Sequence, residues 1–290
     1  MHESPELSII IVTWNSESEI IECLNSIHQN TDDLKYEIII VDNNSSDKTC
    51  QVIENFSKQK FPEVKLISNK ENTGFTRGCN TGIDSASGKN ILLLNPDTKI
   101  LPFALVNLLL KLNSEDNIAA VAPQLLNDND SIQRSCRTFP RYYDMFCELS
   151  LLSLFFPYSR TFARWKMYYF SHNEEAVVDQ PMAATLLIKK DKLAEIGNFD
   201  ERFKMFFNDV DLCKRIYNHG YKIIFYPDAK VYHQKGISIY KDRERMIKLW
   251  NEDCLNYFKK HDDRFFLYHL LSVSLTISGY LRILIHKIKK

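Results

Sequence analysis

The sequence predicts an α/β protein with a mainly parallel sheet flanked by helices and a helical C-terminal tail. Three observations predict it. Over the first 122 residues, short apolar runs alternate with amphipathic stretches of about ten residues, the rhythm of successive βαβ crossovers. The apolar runs are continuous and β-branched, which marks strands buried on both faces. The strand pattern then returns at 183–189 and 221–226 after a long interruption.

Residues 7–13 (LSIIIVT) form the first such run. Residues 16–29 follow with Ile20, Ile21, Leu24 and Ile27 at helical spacing, behind a Ser16/Glu19 capping-box pattern. Residues 37–41 read as a second strand and 47–56 as a second helix. The alternation continues through 64–67, 74–85, 90–94, 102–112 and 118–121. Residues 123–180 break it with aromatic and basic side chains such as Arg137, Tyr143, Phe155, Phe156, Arg164 and Trp165. An insertion of this length points to function or to mobility. Residues 209–220 read as a helix ended by Gly220, and helical patterning resumes at 240. The expected organisation is a catalytic unit over 1–238 and a helical tail over 239–290.

Composition narrows the function. Lys+Arg and Asp+Glu balance at 37 each, and no basic stripe carries interleaved aromatics, so nucleic acid is not an expected partner. The seven cysteines are scattered without a C-x-x-C pair, which excludes a disulfide framework or zinc knuckle and reads as reduced thiols of a cytosolic protein. Residues 1–6 are short, polar and acidic, so no signal peptide is expected.

The residues just beyond the predicted strands carry the chemistry. They are Thr13-Trp14-Asn15, then 42–47 (DNNSSD), then 69–74, then Asn95-Pro96-Asp97-Thr98. Ligands of parallel α/β sheets bind beyond the carboxyl ends of the strands, and short polar residues there suit a base, a ribose and a diphosphate. Asx, Ser and Gly also serve turns and caps; four such loops on one edge favour the binding reading. Neither G-x-G-x-x-G nor G-x-x-x-x-G-K-[ST] is present, so a dinucleotide fold or P-loop cradle is excluded. A divalent cation (Mg²⁺ or Mn²⁺) held by an acid then has to neutralise the diphosphate. Asp97 is placed for that, or for a type I turn, and His233 could complete the shell or serve as an ordinary packed histidine. Asp209 and Asp211 open a helix, either as dipole-stabilised caps or with one acting as general base toward an acceptor hydroxyl.

The ordered set Ile10-Ile-Val-Thr-Trp-Asn15, Val41-Asp-Asn-Asn-Ser-Ser-Asp47, Asn72-Thr-Gly-Phe75 with Asn80 and Gly82, Leu94-Asn-Pro-Asp97, Asn208-Asp-Val-Asp-Leu-Cys213 and His233 resembles glycosyltransferase family 2. The chain is most similar to its rhamnosyltransferase-like branch. The resemblance runs from about residue 7 to residue 238. It implies a GT-A fold and an enzyme that inverts the anomeric carbon while moving one sugar, rhamnose or another hexose. The donor would be a dTDP- or UDP-sugar and the acceptor a saccharide or lipid-linked saccharide of bacterial surface polysaccharide.

By that resemblance Thr13, Asn15, Asp42 and Asn44 hold the nucleotide, with Asp42 accepting from the pyrimidine imide. Asn72, Gly74, Arg77 and Asn95 line the donor site, Asp97 and His233 hold the metal, and Asp209 is the catalytic base, its helix start favouring the ionised form. The acidic metal motif is reduced to Asn95-Pro96-Asp97, the acid usual before the base is Asn208, and the Gln-x-x-Arg-Trp motif of processive synthases is absent. A non-catalytic nucleotide-sugar-binding protein on the same fold is the alternative.

The tail has 17 uncharged residues, 265–281, between Arg264 and Arg282 and ends in a basic cluster. An interfacial helix at the inner face of the plasma membrane is expected; a helix packed in the domain or in a homodimer interface is the competing expectation.

Overall fold

The computed structural model describes residues 4–31, 34–60, 64–234 and 243–288. The first half alternates as the sequence predicts: β1 (Leu7–Thr13), α1 (Ile20–Gln29), β2 (Tyr36–Asp42), α2 (Thr49–Lys60), β3 (Val64–Ser68), α3 (Phe75–Ser85), β4 (Asn90–Leu94), β5 (Thr98–Ile100), α4 (Ala104–Leu112) and β6 (Ile118–Leu126). The stretch after β6 carries the short pieces β7 (Ile132–Gln133), β8 (Cys136–Arg137), α5 (Tyr142–Leu149), α6 (Leu152–Phe155), β9 (Ala176–Val177) and β10 (Gln180–Pro181). Then come β11 (Thr185–Lys189), α7 (Lys190–Ile196), α8 (Asn208–Asn218), β12 (Lys222–His233), α9 (Arg243–His261) and α10 (Phe265–Ile288).

The sheet runs β3-β2-β1-β4-β11-β6-β12-β5. β3, β2, β1 and β4 are mutually parallel, so their carboxyl ends share one edge. β11 is antiparallel to both its neighbours, and β6 and β12 pair in parallel. Successive side chains of β1 point to opposite faces. Ile10 and Val12 join one core with α3 and α8, while Ile9 and Ile11 join another with α1 and α4. Gly82 lets α3 lie directly on β1, because a Cβ there would collide with Ile10.

Two local expectations change. The Ser16/Glu19 capping box does not form: α1 starts at Ile20, Glu19 makes no side-chain cap, and its Oε2 is buried without a hydrogen-bond partner among the described residues. β12 runs well past residue 226 and ends on His233. The expected boundary at residue 238 lies outside the described residues, but α9 is packed into the catalytic unit. Tyr257 and Phe258 of α9 share a core with Tyr142, Phe207 and Val210, to which α10 adds Leu271 and Leu275. Asp211 of α8 is fully buried, with its carboxylate against Lys260 (2.6 Å), His261 (2.7 Å) and Arg215 (2.9 Å).

Candidate active site

A cavity of about 510 Å³ opens where the ends of β1 and β4 diverge and the chain beyond β10 crosses them. Strand order reverses between β1 and β4, the switch point at which open α/β sheets bind ligands, and the volume suits a nucleotide-sized ligand. Thr13, Asn72, Gly74, Asn95, Asp97, Asp209 and His233 all line it. Asn15, Asp42, Asn44 and Arg77 are not among its lining residues.

The β1 and β2 ends are tied to each other. Thr13 Oγ1 donates to Asp42 Oδ1 at 2.9 Å, and Ser45 N and Oγ donate to the same carboxylate at 2.8 and 2.5 Å. Asp42 is 1% exposed. Asn15 and Asn44 take left-handed backbone (φ 52° and 60°), which Asn tolerates better than most residues, and Asn15 Oδ1 accepts from Ser46 N at 2.8 Å. Asn43, passed over in the sequence, bridges two loops: its Nδ2 donates to the Gly74 carbonyl at 3.0 Å and its Oδ1 accepts from Asn69 at 2.9 Å. Gly74 needs its missing Cβ, with φ 90° and the Lys204 carbonyl 3.3 Å from where that atom would sit. Arg77 turns outward, its Nε donating to Glu201 at 2.9 Å.

Asp97 and His233 meet because β5 and the end of β12 pair antiparallel, with His233 opposite Thr98. His233 Nε2 lies 3.5 Å from Asp97 Oδ1. The other ring nitrogen, Nδ1, sits 2.7 Å from Gln133 Oε1, an acceptor, so it carries the proton. The Gln133 amide is itself oriented, since its Nε2 donates to the His233 carbonyl at 3.1 Å and to Asn127 at 3.0 Å. Nε2 therefore turns a lone pair toward the Asp97 carboxylate, with Asn95 Nδ2 at 3.4 Å. Burial, assisted by the charge of Glu19, pushes Asp97 up to about 6. An imidazole lone pair and a buried carboxylate face to face fit one side of a divalent-cation shell, with the Gln133 amide fixing the far side of the imidazole as such sites require. Among the described residues no group of three His, Cys, Asp or Glu makes a complete cage, so phosphate oxygens and water would have to fill the other positions.

Asp209 stands in the first turn of α8, after Phe207 in left-handed backbone (φ 56°). Its Oδ2 accepts from Gln180 Nε2 at 3.0 Å and from Ala183 N at 3.4 Å, and its Oδ1 accepts from Val210 N at 2.8 Å. Burial raises its pKa, against the lowering effect of these amides and of Arg137. The helix start does not hold Asp209 in the ordinary carboxylate range, because desolvation outweighs it. Asn208 is structural, its Nδ2 donating to Thr76 Oγ1 at 3.0 Å.

The loop between α7 and α8, which supplies Lys204, Met205 and Phe206 to the cavity, is fixed from both sides. Thr76 Oγ1 donates to the Phe203 carbonyl, and Asn80 exchanges hydrogen bonds with the Phe199 backbone. On the far side Asp253 of α9 accepts from the amides of Lys204, Met205 and Phe206 at 3.2, 3.1 and 2.8 Å. α9 also lends Arg245, Met246 and Leu249 to the cavity wall. No sequence signal pointed to Asp253 or to these three, because their roles come from contacts some fifty residues away.

The model of glycosyl transferase family 2 matches residues 8–175. The N-acetylglucosaminyl-diphospho-decaprenol L-rhamnosyltransferase of Mycobacterium tuberculosis is 24% identical over 247 residues, 81% of this chain and 78% of that protein. The GalNAc(5)-diNAcBac-PP-undecaprenol beta-1,3-glucosyltransferase of Campylobacter jejuni is 35% identical over a shorter span, 38% of this chain and 35% of the other. Among solved structures, the mannosyltransferase PcManGT of Pyrobaculum calidifontis, in complex with GDP-Man and Mn²⁺, superposes with a TM-score of 0.61 at 17% identity, covering 96% of this chain and 74% of that one. GalNAc-T7 with UDP, GalNAc and Mn²⁺ gives 0.60 at 16% identity over 80% of this chain and 44% of that one. The chain has the GT-A fold and belongs to glycosyl transferase family 2. It is a glycosyltransferase.

Proposed function

We propose that this enzyme moves a single sugar, rhamnose or another hexose, from a dTDP- or UDP-sugar to a saccharide or lipid-linked saccharide, with inversion and with a divalent cation. The observation that carries the reading is that Asp97 with His233, and Asp209, line one cavity from different sides of the switch point. The nucleotide occupies the ends of β1 and β2, with Thr13 at the cavity wall and Asn15, Asp42 and Asn44 shaping the loops behind it. Asn72, Gly74 and Asn95 border its diphosphate, with Arg77 at the outer rim. Asp97 and His233 would hold Mg²⁺ or Mn²⁺, which neutralises charge on the leaving diphosphate.

Asp209 takes the proton of the acceptor hydroxyl as its oxygen bonds to the anomeric carbon. The bond from that carbon to the diphosphate oxygen breaks, and its electron pair leaves with the nucleoside diphosphate. A raised pKa suits this role, because a base is most effective when its pKa approaches working pH. A cytoplasmic position at the inner membrane face agrees with the lipid-linked acceptors in the relatives' names and with α10, the one helix among the described residues long and apolar enough to cross a membrane.

Nucleotide release from dTDP-rhamnose, UDP-glucose, UDP-galactose and GDP-mannose, with Mn²⁺ or with chelator, tests the reading. Release from one donor in Mn²⁺, lost on chelation, is expected. Donor binding without release from any of them would favour a nucleotide-sugar-binding protein instead.

A further inference from the structure

Two segments more than a hundred residues apart in the chain expose large apolar side chains, and each adjoins the same buried core. On α10, Phe266, Leu270, Val273, Ile277, Leu281 and Leu284 are all more than half exposed and recur every three or four residues, the spacing of one helix face. The opposite face is engaged: Leu271 and Leu275 are buried with Tyr142, Met145 and Phe258. Gly279 lies against Asn251, and Arg282 donates to Asn251 Oδ1 at 3.0 Å. Leu151, Leu154, Phe155 and Phe156 form the second patch, with Phe155 72% exposed. They follow directly on α5, whose Met145 and Leu149 pack in the core that receives Leu271 and Leu275. The two patches thus flank one shared core.

Charge identifies what covers them. Residues 149–173 contain no Asp or Glu, and neither do residues 264–290. Arg160 is exposed beside the aromatic patch, its guanidinium 5.0 Å from the Tyr169 ring. Lys287 closes α10, and Lys289 and Lys290 follow in the sequence. Arg164 and Lys166 are engaged by Asp144 and Glu148, and Lys287 by Glu244 at 3.7 Å, where its side chain stays 63% exposed. An apolar surface free of acids and rimmed by cations is complementary to a bilayer with anionic headgroups.

We infer that residues 151–156 and the outer face of α10 together form a two-part surface that docks on an anionic lipid bilayer, α10 lying along it. The inference rests on the membrane position proposed above and adds to it a contact that the tail does not supply. Crossing the bilayer would pull Leu271 and Leu275 out of the core they fill with Tyr142 and Phe258, so α10 stays on the protein. α9 both backs α10 and lines the cavity through Met246 and Leu249, which brings the acceptor side near the lipid surface.

Co-sedimentation of the full chain with vesicles tests this, using phosphatidylcholine alone and phosphatidylcholine mixed with phosphatidylglycerol. Wild type is expected to pellet with the mixed vesicles and far less with phosphatidylcholine alone. Phe155→Ser/Phe156→Ser and Leu270→Ser/Ile277→Ser change only exposed side chains, and each should weaken partition about tenfold or more, with nucleotide release to a soluble acceptor unchanged. If Phe155→Ser/Phe156→Ser pellets like wild type, the second contact is wrong while the tail's own membrane contact stands. Equal binding to both vesicles overturns the electrostatic part. A wild type that stays in the supernatant and is dimeric by light scattering, with either variant monomeric, makes this surface a homodimer interface and overturns the inference. Wild type left unbound as a monomer overturns it too. The transfer assay reads the chemistry separately in every case.

Discussion

The two walls of the cavity are built in different ways. One wall consists of the turns after β1, β2, β3 and β4. The first three are held mainly by one another, Thr13 to Asp42 and Asn43 to Asn69 and Gly74, while the fourth is tied across the sheet, Asn95 N donating to the Ala184 carbonyl at 2.9 Å. The other wall consists of 182–184, 204–209 and the start of α9, and it is held from a distance. Gln180 fixes Asp209, α3 fixes Phe199 and Phe203, and Asp253 fixes the amides of 204–206. The first wall, the donor wall of the proposed function, follows from strand ends; the second, its acceptor wall, exists only once the helices have packed. Two aspartates two residues apart on α8 show the contrast. Asp209 lines the cavity. Asp211 is fully buried and ties α8 to α9 through Lys260 and His261.

That contrast is broken most severely at Asp209. Asp209→Asn keeps the shape and one of the two acceptor oxygens, so the bonds from Gln180 and Ala183 or the one from Val210 survive but not both. It removes the proton acceptor, and turnover should fall about 10²–10⁴-fold with folding and donor binding retained. As the proposed base, Asp209 would work only when deprotonated. Because burial raises its pKa, turnover should fall on acidification at a pH above the ordinary carboxylate range, and a pH profile of kcat checks this. A rate for Asp209→Asn near wild type would make the residue a helix cap.

A smaller effect is expected at Gln133 of β7, which does not line the cavity but sets the His233 tautomer. Gln133→Ala should lower Mn²⁺-dependent donor affinity about 10–100-fold, while affinity measured with chelator changes little. Titrating Mn²⁺ against donor binding reads both, and an unchanged Mn²⁺ dependence would remove His233 from the metal shell.

The smallest effect on turnover, with a large effect on stability, belongs to Asp211. Asp211→Asn leaves Arg215 and Lys260 beside a neutral side chain and should cost about 3–5 kcal/mol in urea unfolding, with turnover per folded molecule close to wild type. Its carboxylate pKa is lowered by His261, Lys260 and Arg215 despite burial. The stability it contributes is present above the unfolded carboxylate value of about 3.9 and is lost as pH falls through the lower folded value. A full loss of turnover in folded Asp211→Asn would mean that the two aspartates act together.

Much of the donor wall was legible in the sequence because its determinants are local. A continuous β-branched run names a buried strand, and the loop after it falls on one edge of the sheet; Thr13, Asn72, Asn95 and Asp97 lie at or in such loops and line the cavity. Where neighbouring side chains compete for the same groups the local reading failed. Ser16 and Glu19 match a capping box, yet Ser16 N is taken by Thr49 Oγ1 at 2.8 Å and the helix starts at Ile20.

By itself the sequence determined the strand–helix rhythm, the absence of a glycine-rich phosphate cradle and the acid at the end of β4. Those depend on periodicity and on residue type, which neighbours in the chain define. Only the tertiary structure decided that His233 faces Asp97, that Asp209 is raised rather than lowered, and that Asp211 is a strut. It also decided that α9 belongs to the active site and that α10 is buried on one face and bare on the other. Each of these is set by what stands across the contact: Gln133 at a hundred residues' separation, the packing that removes water from Asp209, and the core that Leu271 and Leu275 enter. Desolvation and ion pairing depend on distance in space, and sequence patterns do not carry that information.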